Sequence, residues 1–127
     1  MLWFLRNVNY FSDPLKTCQV WKSFFLLLNF INMRTLLKVT LDVVASNKGI
    51  LDGSLPKLMQ STMEKLKPES AYFLLIDGCR SCIMVFDMKD SSEIPSIVEP
   101  FFLNFNAKVE LTPAMNGEDL QKGLSAM

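Results

Sequence analysis

Residues 35 to 43, "TLLKVTLDV", alternate in type: Leu37, Val39, Leu41 and Val43 are apolar, while Lys38, Thr40 and Asp42 are polar. A period of two puts successive side chains on opposite faces of an extended chain, which predicts a strand with one face buried. The period then changes. Around Ser46 to Gly53 the pattern is irregular and predicts a turn or a helix start. From Ser54, read as a cap with Pro56 in the first turn, Leu55, Leu58, Met59, Thr62, Met63 and Leu66 recur at helical spacing until Pro68 stops them. Two apolar runs follow, "SAYFLLI" and "CRSCIMVFDM", joined by Asp77-Gly78. That dipeptide suits the two positive φ angles of a type I′ turn, so residues 70 to 88 predict a β-hairpin.

A second helix is expected over "DSSEIPSIVEPFFLNF", capped by Ser91 or Ser92, with Ile94, Ile97, Val98, Phe101, Phe102 and Phe105 as its apolar stripe. Pro100 lies inside that stripe. It removes one backbone donor and should kink the helix, because burial continues in phase on both sides of it. "AKVELTPAM" alternates again and predicts a fourth strand, with Pro113 at an end or an edge. Asn116 opens a short last helix, with Asp119 three residues on to complete a capping box and Leu120 and Leu124 as anchors. The sequence of elements is β-α-β-β-α-β plus a terminal helix. It predicts the α+β, ferredoxin-like split βαβ arrangement: one antiparallel sheet with its helices on one face.

Residues 1–32 read differently from the 33–127 domain. They hold both Trp and half of the Phe residues, with few charges. Asp13-Pro14 is a good helix start, and Leu15, Cys18, Trp21, Phe24, Phe25, Leu28 and Ile31 fall at helical spacing. The apolar part is shorter than the roughly 20 residues that span a bilayer, and no small-residue cleavage site follows it. The segment is expected to be an N-terminal extension: either residues upstream of a true start at Met33, or an apolar packing or interfacial helix that would be the chain's membrane contact.

Composition narrows the chemistry. Lys plus Arg equals Asp plus Glu, at 13 each, and the basic residues do not cluster, so a nucleic-acid partner is not expected. Histidine is absent, which removes the usual general base near neutral pH and the usual metal and haem ligand. No cofactor and no metal is expected. Cys18, Cys79 and Cys82 make an odd number, which points to free thiols in a reducing, cytoplasmic setting. Cys79 and Cys82 form a C-x-x-C. On one strand, however, residues three apart face opposite ways and lie about 10 Å apart, beyond the roughly 7 Å that a disulfide allows.

From Met33 the chain resembles a small bacterial family of uncharacterised proteins with a ferredoxin-like, dimeric α/β-barrel fold. The stretches that carry the likeness are "MRTLLKVTL", "DGSLPKLMQS", "LKPESAYF", "VFDMKD", "IPSIVEPFF" and "ELTPAMNGEDL". The wider group includes cofactor-free monooxygenases, lactone isomerases and haem-degrading enzymes, many of which use a cleft histidine. This chain has none, so no catalytic residue carries over. The resemblance implies a homodimer in which two sheets pack face to face. The hairpin fits that arrangement, since both its alternating faces are apolar. A two-residue turn puts Tyr72, Leu74, Ser81, Ile83 and Val85 on one face, assigned to the partner. Phe73, Leu75, Cys82, Met84 and Phe86 go to the helices. Lys38, Thr40, Asp42, Lys108, Glu110 and Thr112 are expected to share the partner face. The inter-sheet space would then be apolar on one side and polar on the other, as a site for a small apolar or aromatic ligand requires.

The favoured function is a non-catalytic or ligand-binding dimer, and the alternative is a cofactor-free enzyme. Candidate ligand or acid-base residues are Lys38, Thr40, Tyr72, Arg80, Asp87 and Glu110, with Lys38 or Arg80 to hold an anionic group.

Overall fold

The alternation from Arg34 onward builds the first strand, β1 (Met33–Thr40), whose Thr35, Leu37 and Val39 are buried. The remaining elements are α1 (Val43–Asp52), α2 (Ser54–Leu66), β2 (Ser70–Ile76), β3 (Cys79–Met88), α3 (Ile94–Phe105), β4 (Lys108–Pro113) and α4 (Gly117–Ser125). The computed structural model describes residues 32–127 and two isolated, exposed helical positions, Gln19 and Lys22. The chain divides into two units, Met1–Ile31 and Asn32–Met127. Apart from those two positions, the helix expected from Asp13-Pro14 lies outside the described residues. Among the described residues no helix is long and apolar enough to cross a membrane.

The fold is α+β, with one four-stranded antiparallel sheet in the order β2-β3-β1-β4. β1 is antiparallel to β3 and β4, and β2 is antiparallel to β3. It follows that β1 and β2 run parallel with β3 between them, and β3 and β4 run parallel with β1 between them. On the inner face Leu37, Val39, Cys82, Met84 and Phe86 meet the apolar stripes of α2 and α3, chiefly Leu55, Ile97, Val98, Phe101 and Phe105. The Asp77-Gly78 turn has φ of 51° and 75° and pairs Ile76 with Cys79, which fixes the expected two-residue register.

Several local expectations need correction. β1 ends at Thr40, so Asp42 does not share a strand face with Lys38. Its carboxylate instead accepts from the Ala45 amide at 3.0 Å and caps α1. Val43 is accordingly an exposed helical residue rather than a core position. The irregular stretch is a ten-residue helix, α1, which closes on α3. A methyl placed on Gly49 would overlap the Phe105 ring. Between α1 and α2 the chain turns at a single residue, Gly53, in the left-handed region at φ 78°, which favours glycine. Ser54 is the first residue of α2 rather than its cap, and its amide donates to Asp52 at 2.8 Å. The second cap is also an aspartate: Asp90 accepts from the Ser92 amide and starts a 3-10 turn, Ser91–Glu93, that leads into α3. Asp90 thus takes the place expected for Ser91 or Ser92, while α2 starts from Gly53 without a side-chain cap; aspartate suits such starts because it accepts a hydrogen bond and its charge favours the positive end of a helix.

α3 runs through Pro100 to Phe105. Proline at 100 leaves the Ser96 carbonyl without its helical donor, and Lys65 at the end of α2 takes that role. Its ammonium donates to the Ser96 carbonyl at 3.2 Å and to the Ser96 hydroxyl at 2.8 Å. The Asn116–Asp119 capping box of α4 is formed in both directions. Leu120 and Leu124 do not anchor α4, because both are exposed. The helix is held instead through Arg34, whose guanidinium bonds Asp119 at 2.7 Å.

Candidate functional site

The strand register arranges the outer face of the sheet in cross-strand rows. One runs Tyr72, Ile83, Lys38, Glu110. The row beside it is Leu74, Ser81, Thr40, Lys108, and on the other side lies Ser70, Val85, Leu36, Thr112. Read across these rows, the face grades from apolar at β2 and β3 to charged and hydroxylic at β1 and β4. The gradient follows from sequence: "SAYFLLI" carries no charge, whereas "MRTLLKVT" and "KVELTP" place a polar side chain at almost every outward position.

Within this face Lys38 and Glu110 are direct partners, 3.7 Å apart. Both are solvated, so their attraction is worth at most about 1 kcal/mol. Thr40 lies two residues further along β1. Tyr72 is in the same row as Lys38 but two strands away, about 10 Å, and it is 66% exposed. Lys38, Thr40, Tyr72 and Glu110 therefore occupy one face without converging on a point.

Two candidates are placed elsewhere. Asp87 pairs with Arg34 in register, four residues from the Lys38 row and about 13 Å along the strand. It borders a cavity of about 380 Å³ at that end of the sheet, lined by Lys65, Lys67, Glu69, Lys89 and Glu93 among others. Arg80 sits opposite Leu75, on the inner side of the sheet. Its Nη1 donates to Ser46 Oγ and Asn47 Oδ1, both at 2.8 Å. Arg80 cannot share an anion with Lys38, because the sheet lies between them.

Sequence reasoning missed Arg34. It bonds Glu69 at 3.0 Å and Asp119 at 2.7 Å, tying β1 to the start of β2 and to α4. Glu69, and then Asp119, holds its pKa above the usual value. The signal was present, since Arg34 continues the outward alternation of Leu36 and Lys38 by one step. Cys79 and Cys82 have free thiols and occupy opposite faces of β3. Burial pushes the Cys82 thiol up to about 11, which suppresses the thiolate that would react or bind a metal.

Comparison with protein-family models and with curated proteins finds no match to this chain.

Proposed function

We propose that the chain is a ferredoxin-like subunit of a homodimer that joins through the outer face of its sheet and acts by binding a small apolar ligand in the space between the two sheets. The observation that carries this reading is the graded outer face. Tyr72, Leu74, Ile83 and Val85 form an apolar half beside the polar half of Lys38, Thr40, Glu110 and Thr112. Tyr72 and Leu74 are exposed on it, soluble monomers seldom leave large contiguous apolar patches in water, and a two-fold axis would let this one cover itself. Two interleaved parallel pairs, β1 with β2 and β3 with β4, support the ferredoxin-like reading.

Binding is favoured over catalysis because, among the described residues, the outer-face candidates Lys38, Tyr72, Asp87 and Glu110 do not converge on one point. Lys38 and Glu110 neutralise each other, and Tyr72 stands apart. A cytoplasmic location fits the free thiols. Native mass spectrometry of the full chain as purified tests the proposal. The expected spectrum shows twice the chain mass, with an added mass for a retained ligand. A monomer at micromolar concentration would overturn it.

A further inference from the structure

The helices do not cover the whole inner face. Ala71 of β2 still packs against the core under the helices, but further along β2 the edge lies open. Phe73 and Leu75 share the inner face with Cys82 and Met84, yet they are 63% and 74% exposed. The expectation that helices cover both residues fails for this reason. What remains is a groove of about 400 Å³ between β2 and the junction of α1 with α2, lined chiefly by Ile50, Leu55, Met59, Phe73, Leu75 and Arg80. Its volume is in the range of small-molecule sites.

Arg80 sets the chemistry of this groove. Both acceptors that hold it, Ser46 Oγ and Asn47 Oδ1, are neutral. Among the described residues no carboxylate forms an ion pair with it; the pairs formed there belong to Arg34 and Lys38. One nitrogen bonded twice fixes the guanidinium plane, and the fork has five donors in all. A fixed cation without a counter-charge at an apolar groove complements a carboxylate attached to an apolar tail.

We propose that this groove binds small amphipathic monocarboxylates, with the carboxylate on Arg80 and the apolar tail along Phe73, Leu75 and Met59. The groove opens on the inner side of the sheet, where Arg80 lies opposite in face to Lys38, and outer-face residues Leu74 and Ser81 reach its border.

Isothermal titration of the full chain with decanoate, and with decanol as the uncharged probe, tests the proposal below the concentration at which either aggregates. Decanoate should bind at least tenfold more tightly than decanol. Arg80→Gln should remove that advantage and leave decanol unchanged. Because Arg80 also holds α1, a second variant avoids any folding ambiguity. Leu75 is exposed and directly opposite Arg80, so Leu75→Asp would supply an internal counter-charge and should abolish decanoate binding while the melting temperature is retained. Equal affinity for the two probes, undiminished decanoate binding by either folded variant, or NMR shifts centred on Tyr72 and Val85 would each overturn the proposal.

Discussion

At the scale of single residues, two positions govern what the core tolerates. Gly49 is buried in α1, and its missing side chain is what lets the helix approach Phe105. Alanine is normally the better helix former by about 1 kcal/mol. Here that gain is outweighed, because forcing a methyl against a packed ring typically costs about 1–3 kcal/mol. Gly49→Ala should therefore lower the urea midpoint, and an unchanged or raised midpoint would contradict the packing. Cys82 makes a prediction about pH. Its thiol titrates near 11 in the fold against an ordinary value of 9.0, so the unfolded chain loses this proton first as pH rises. The contribution is fully present below about pH 9 and is lost as pH climbs towards 11. The alkaline decline in stability over that window should be shallower in Cys82→Ala than in wild type, as read from urea midpoints at each pH.

At the scale of elements, the helix pair α2 and α3 depends on a contact that sequence patterns do not reveal. Lys65 supplies the donor that Pro100 withholds from the Ser96 carbonyl. Lys65→Met should destabilise the fold by about 1 kcal/mol, the usual worth of such a hydrogen bond. The same change in a Pro100→Ala background should cost less, because the alanine amide restores the helical bond. A double-mutant cycle measured by chemical denaturation decides it, and strict additivity would refute the coupling. The periodic elements were legible: β1 from its alternation, α2 and α3 from their stripes, the hairpin register from Asp-Gly, and the α4 box from Asn116 and Asp119. α1 was not. Asn47 and Gly49 are poor helix formers, and α1 persists because Asp42 caps it and Gly49 packs on Phe105. The site was legible in part for a related reason. Alternation assigns faces, which placed Lys38, Thr40, Tyr72 and Glu110 together. It cannot show that part of β2 lies open at the edge, or that Arg80 is held by α1, since both depend on how distant segments meet.

At the scale of the whole molecule, the proposed dimer rests on the outer face of the sheet. Val85 lies on that face between Ser70 and Leu36, whereas its neighbour Met84 is fully buried under the helices. Adjacent strand residues thus separate association from folding. In the proposed dimer, a glutamate at Val85 would bring an unpaired carboxylate from each subunit into the interface, which is strongly unfavourable. A glutamate at Met84 would instead bury a charge within the core of each subunit. The most direct measurement is sedimentation velocity of the full-length wild type, Val85→Glu and Met84→Glu at micromolar concentration, with circular dichroism on the same samples. Expected are a dimer for wild type, a folded monomer for Val85→Glu and an unfolded chain for Met84→Glu. A well-folded monomeric wild type, or a Val85→Glu variant that remains dimeric, would contradict the proposed dimer.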